Sequence, residues 1–231
     1  MTQVDITKLE NDLGFSFQNQ SILKEAMVHR SYINEHHDCD TDHNERLEFL
    51  GDAVLELVVT DYLFHHYKNP EGELTNWRAA LVRGTTLKEV ADKLKLGEYL
   101  FLSKGEELSG GRERELILAN VVEALIGAIY EDQGYEQAKE FIYQEIVVKL
   151  PYILESKSYL DAKSRFQELA QEKIGITPTY KLVSESGPDH AKQFLMAALI
   201  GEQEYGRGHG SSKQLAEQEA AHDALSKWNE V

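Results

Sequence analysis

The fourteen residues from Leu116 to Ile129, LILANVVEALIGAI, constrain this chain more than any other stretch. A helix that is apolar on nearly every side must be covered all round, so it belongs at the centre of a packed unit. Its only strongly polar members are Asn120 and Glu123, three positions apart and therefore on one face. An ionised carboxylate in such a helix is costly unless it is paired, hydrogen-bonded or bound to a metal. Two readings stand on this helix alone: a salt bridge, to Arg46 for instance, or an oxygen ligand for a cation.

A second segment weighs on that choice. Asn44 to Val58, NERLEFLGDAVLELV, has helical apolar spacing, yet Glu45, Glu48 and Asp52 fall within roughly 60° of one another around its axis. Leu47, Leu50, Val54, Leu57 and Val58 cluster about the other side and predict a buried face. The acids can simply face water, as on any amphipathic helix. If this helix packs on the first, the same acids join Glu123, and oxygen ligands from two helices suit a hard ion such as Mg²⁺.

Composition sets the outer limits. A chain of 231 residues with 42% hydrophobic residues has room for one large or two small cores. No run of about 18 apolar residues occurs and the start lacks a signal-like pattern, so no membrane partner and cytoplasmic residence are expected. The single cysteine, Cys39, excludes an intrachain disulfide and fits a reducing compartment. A net charge of −16 argues at first against nucleic acid. However, Ser156 to Val231 carries 9 Lys and Arg against 11 Asp and Glu, so nearly all of the acidity belongs to the first 155 residues.

Residues 1–153 read as all α, with helices expected over Asp5–Leu13, Ser21–His29, Glu45–Tyr67, Thr75–Gly84, Thr85–Leu94, Leu116–Asp132 and Tyr135–Lys149. Pro151 and the polar stretch Glu155–Ser158 predict a linker, placed at 154–158. From 159 to 229 the pattern becomes α-β-β-β-α: a helix over Asp161–Ile174, strands over Thr179–Ser186, Gln193–Gly201 and Glu204–Gly208, and a helix over Ser212–Trp228. The last helix carries Ala216, Ala220, Ala221, Ala224 and Leu225 on one face.

At this point four blocks in order carry a resemblance. Ala26–Ser31 (AMVHRS), Asn44–Leu55 (NERLEFLGDAVL), Arg78–Leu87 (RAALVRGTTL) and Ser109–Tyr130 (SGGRERELILANVVEALIGAIY) are similar to bacterial ribonuclease III. Ala162–Leu169, Gly187–Phe194 and Gly208–Ala221 resemble the double-stranded RNA-binding domain that follows the nuclease in that family. The resemblance implies a homodimeric, Mg²⁺-dependent endonuclease, with Mn²⁺ as a substitute and no organic cofactor. It would cut duplex RNA to 5′-phosphate ends with short 3′ overhangs, in ribosomal and messenger RNA processing.

By the same resemblance the metal-binding and catalytic positions fall on Glu48, Asp52, Glu123 and Asn120, with Glu45 and Glu71 as further acids near the reaction. Phe49 matches an aromatic of the dimer interface. Asn120 departs from the family, which has Asp there; a neutral amide offers one carbonyl oxygen and no charge, which predicts weaker metal binding and slower cleavage. The rival expectation is a protein of the same fold that binds duplex RNA without catalysis, either a natural variant that has lost it or an inactivating substitution that traps RNA.

Duplex RNA presents 2′-hydroxyls and phosphates across a shallow minor groove. Gln167 and Glu168 are placed to bond such groups, His190 to enter a neighbouring groove, and Ser211, Ser212 and Lys213 to receive a phosphate at a helix start. Lys213 is followed by Gln214 where the family usually has a second Lys, so weaker phosphate binding is expected. His36, His37, Asp38, Cys39, Asp40, Asp42 and His43 superficially form a transition-metal loop, but without the spacing and rigid elements of a fixed site.

Overall fold

The computed structural model describes residues 5–156, 159, 162–188 and 192–228. The chain falls into two units, Met1–Glu155 and Ser156–Val231.

The first unit is helical. Its α-helices are α1 (Ile6–Leu13), α2 (Gln20–Ala26), α3 (Arg30–Glu35), α4 (Glu45–His66), α5 (Glu71–Val82), α6 (Gly84–Lys93), α7 (Lys104–Leu108), α8 (Glu115–Gln133), α9 (Tyr135–Glu145) and α10 (Leu150–Glu155). As its composition demands, α8 is the centre, packed by α2, α4, α6 and α9, with every residue from Leu125 to Ile129 buried. The ends obey local chemistry: Asp5 caps α1 by accepting from the Lys8 amide at 3.0 Å, and Asn19 caps α2 through the Ser21 amide.

Several expectations needed correction. The helix expected over Ser21–His29 stops at Ala26, because Val28 pairs with Phe101 in a parallel bridge and its carbonyl accepts from the Asn44 amide. A short α3 then begins at Arg30, and α7 was likewise unforeseen. Helix α5 starts at Glu71, four residues earlier than expected. Pro151 stands at the second position of α10, where its missing N–H costs nothing, so helix reaches Glu155 inside the expected linker. Leu57, assigned to the buried face of α4, is 57% exposed.

The second unit runs α11 (Ala162–Ile174), β1 (Thr179–Ser186), β2 (Gln193–Ile200), β3 (Gln203–Gly210) and α12 (Lys213–Trp228). The strands form one antiparallel sheet in the order β1-β2-β3. Phe166 and Ala170 of α11, Met196, Ala198 and Ile200 of β2, and Ala216, Ala220, Ala221 and Ala224 of α12 make the core. Alanines suffice there because β3 meets α12 through glycine: a Cβ on Gly208 would lie 2.1 Å from the Ala220 nitrogen. The α-β-β-β-α order is the expected one, and β3 is longer at both ends than the pattern indicated. Among the described residues no helix is long and apolar enough to cross a membrane.

Candidate functional site

The contact between α4 and α8 is made by two glycines. A Cβ on Gly51 would stand 1.8 Å from the Glu123 carbonyl oxygen, and one on Gly127 would stand 2.2 Å from that of Leu47. Only glycine allows two helix backbones so near. The crossing lies at the acids, and it brings Glu48 and Asp52 of α4 into the field of Glu123 of α8.

The electrostatics follow from that geometry. Burial raises the Glu123 carboxyl, and the neighbouring charges of Asp52 and Glu48 raise it further, to about 7. Glu48 is also raised, by burial first, against a lowering contribution from the Asn120 side chain acting as donor, and then by Glu45 and Asp52. Asn120, expected as an oxygen ligand, is therefore a neighbour that partly offsets the rise of Glu48.

The salt-bridge reading of Glu123 has no support here. Arg46 acts on Glu25 instead, and the charges that shift Glu123 are both acids. Mutual repulsion within a half-buried acid group is the condition that a hard divalent cation relieves, and the donors are all oxygens apart from the one amide. The residues therefore fit such an ion in chemistry. Among the described residues no three His, Cys, Asp or Glu side chains are already drawn into a ligating cluster.

The other expected positions divide. Glu45, the first residue of α4, adds to the field on Glu48 and pairs with Arg30 at 3.3 Å. Glu71 begins α5 and is exposed, with Thr75 donating to it at 3.1 Å; it is not among the charges that shift Glu48 or Glu123. Phe49 is 81% exposed, which rules out an ordinary core phenylalanine. It shares one side of α4 with exposed Leu57, which periodicity placed on the buried face, and with exposed Phe64, which periodicity did not single out.

In the second unit Gln167 and Glu168 are exposed on α11, and Ser211, Ser212 and Lys213 are exposed where α12 begins. Ser212 accepts from the Leu215 amide at 3.2 Å and so caps that helix, leaving the earlier amides of its first turn for other acceptors. Lys213 lies 6.0 Å from the Phe194 ring centre. His190 lies outside the described residues. In the histidine-rich loop, His36 stacks on Tyr32 and Asp40 pairs with Lys24, so both are engaged locally.

Comparison with known proteins accords with this layout. A family described as Ribonuclease-III-like matches residues 19–150, and one described as Double-stranded RNA binding motif matches residues 162–227. A Ribonuclease 3 of Oceanobacillus iheyensis is 45% identical over 98% of this chain and 99% of its own length. A Ribonuclease 3 of Natranaerobius thermophilus is 47% identical over 96% of each chain. A solved nuclease domain of ribonuclease III from Campylobacter jejuni, studied for flexibility in its dimer-forming region, has 42% identity and a TM-score of 0.58. It covers 64% of this chain and is itself covered over 99%.

Proposed function

The chain belongs to the ribonuclease III family, and from that premise we propose how its residues carry out the family's reaction, endonucleolytic cleavage of double-stranded RNA. The observation that carries the reading is the glycine-mediated crossing of α4 and α8, which gathers Glu48, Asp52, Asn120 and Glu123 on one face. These four would hold Mg²⁺, or Mn²⁺ in its place. When bound, the ion neutralises charge developing on the phosphate and makes water a better nucleophile.

The protein's own groups do the rest. Glu48 and Glu123, both raised by burial, hold a proton more readily than ordinary carboxyls until a cation displaces it. Asn120 partly offsets the rise of Glu48 but supplies no charge, so metal affinity is lower than with Asp and cleavage is slower at a given Mg²⁺ concentration. Glu45 and Glu71 position RNA or water at the edge of the site. Hydrolysis leaves 5′-phosphate ends and short 3′ overhangs, as two sites of a homodimer cut opposite strands. Phe49, Leu57 and Phe64 form the apolar stripe on which the copies meet.

Residues 159–229 deliver the substrate, and 154–158, whose first two residues close α10, join them to the nuclease domain, residues 1–153. Gln167, Glu168 and His190 read two minor grooves, while Ser211, Ser212 and Lys213 take the phosphates between them. The setting is the cytoplasm and the products serve ribosomal and messenger RNA maturation. Incubating a long duplex RNA with Mg²⁺ and sequencing both ends of each product tests this reading. Staggered cuts with 5′-phosphates, abolished in Glu123→Gln, are expected; blunt or single-strand cuts would refute it.

The alternative, a duplex-RNA-binding protein without catalysis, rests on the one missing carboxylate at position 120. It predicts binding with no scission at any metal concentration.

A further inference from the structure

The acid site presents a polyanion with carboxylates, so a cation must meet the phosphate from its rim. Arg30, the first residue of α3, stands there, 65% exposed, and its one ion pair among the described residues is with Glu45. The residue before each member of the pair is anchored. The His29 amide donates to the Phe101 carbonyl, the Asn44 amide donates to the Val28 carbonyl, and the buried Asn44 side chain donates to the Ala26 carbonyl.

The pair itself is loose. A single contact joins Nη1 of Arg30 to Oε1 of Glu45 at 3.3 Å, longer than a strong charge-assisted bond and without the forked geometry that suits a guanidinium. Arg207 grips Glu204 through two nitrogens at 2.6 and 3.1 Å, which shows the closer fit available elsewhere in this chain. An exposed, one-point ion pair contributes little and is easily exchanged. The second oxygen of Glu45 already faces another group: Nδ1 of His43 lies 3.8 Å from Oε2 and is buried with no hydrogen-bond partner.

We propose that Arg30, Glu45 and His43 form a partner-exchange set, in which Arg30 turns from Glu45 to grip a phosphate of the duplex beside the acid site. Glu45 closes the remaining distance to His43, whose Nδ1, in the tautomer that carries its proton there, donates to the carboxylate. Arg30 gains a forked phosphate contact, and the orphaned His43 nitrogen gains its acceptor. No proton changes hands and no net charge moves. The proposal rests on the reading of the chain as a duplex-RNA nuclease, and it adds a phosphate-binding residue to that reading.

The test measures binding of the full chain to a labelled duplex RNA by fluorescence anisotropy. EDTA prevents scission, and the salt concentration is varied. The variants are Arg30→Gln, Glu45→Gln and the two combined; both side chains are well exposed, and thermal melting controls for folding. Arg30→Gln is expected to weaken binding about five- to tenfold and to lower the salt slope by about one. Glu45→Gln is expected to tighten binding by releasing Arg30, and that gain should vanish in the double variant. An unchanged affinity and slope in Arg30→Gln, or a Glu45→Gln gain that survives without Arg30, overturns the exchange. Failure of the unsubstituted chain to bind duplex RNA overturns the underlying reading, and the exchange with it, before any variant is compared.

Discussion

The backbone of Gly51 runs against that of Glu123 so closely that an added Cβ would lie 1.8 Å from the Glu123 carbonyl oxygen. Asp52 follows Gly51 in sequence, so the contact that joins the two helices also sets the spacing of the acids. Packing and chemistry meet at one point, and substitutions there should move both.

Gly51→Ala should therefore force α4 and α8 apart. A backbone carbonyl cannot rotate away as a side-chain end can, so the expected loss is about 3 kcal/mol of stability. Duplex-RNA cleavage should fall further than the melting temperature explains, because Glu48 and Asp52 move off Glu123. Denaturant unfolding beside single-turnover cleavage checks this; cleavage that simply follows the folded fraction would contradict it.

Glu123 gives a pH dependence whose sign is fixed. Its folded value of about 7 lies above its ordinary 4.5, so between those values the folded state holds the proton and the unfolded state does not. Stability in the absence of divalent metal should fall as pH rises through this window, by about 2 kcal/mol after allowance for solvent screening. Glu123→Gln should be more stable than the parent at pH 8 and nearly equal to it at pH 4. Urea unfolding in EDTA at several pH values measures the difference, and a parent that grows more stable toward pH 8 would exclude this assignment.

Leu57 at 57% exposure and Phe64 at 66% are too apolar and too close on one stripe of α4 for a face that meets only water. Leu57→Glu should give a monomer by sedimentation with a melting temperature within a few degrees of a dilute, dissociated parent. An unchanged sedimentation coefficient would place the dimer contact elsewhere.

Ser212 caps α12, and on the proposed reading it also frames a phosphate site. Ser212→Ala should cost about 1 kcal/mol of stability in the second unit. Lys213→Ala should leave stability nearly unchanged and reduce the salt slope of duplex-RNA binding by about one. Hydrogen exchange at α12 and a salt series on binding separate the two effects.

How much of this was legible in the sequence follows from where each signal is local. The helix α8, apolar on nearly every side, had to be central, and Glu45, Glu48 and Asp52 had to share a side, because both follow from 3.6-residue periodicity. The second unit was readable for a similar reason: strand runs and turns sit close together in the chain. The break after Ala26 was not, since no Gly or Pro marks it; residues far along the chain, Asn44 and Phe101, pull Val28 out of helix. Leu57 was misplaced because periodicity cannot tell an apolar residue that its own chain covers from one that it leaves exposed. The influence of Asn120 on Glu48 depends on how two helices cross, and no spacing rule contains that.

The most direct measurement is cleavage of a long duplex RNA by this protein and by Asn120→Asp, side by side, across a Mg²⁺ titration repeated with Mn²⁺. The account predicts that both cut, that the Asp form is faster at low Mg²⁺, and that the gap narrows as metal rises, since Asn120 lowers affinity without removing the site. Scission by the Asp form alone, with none by the Asn form at any concentration of either ion, would contradict it and leave a protein that binds duplex RNA without cutting it.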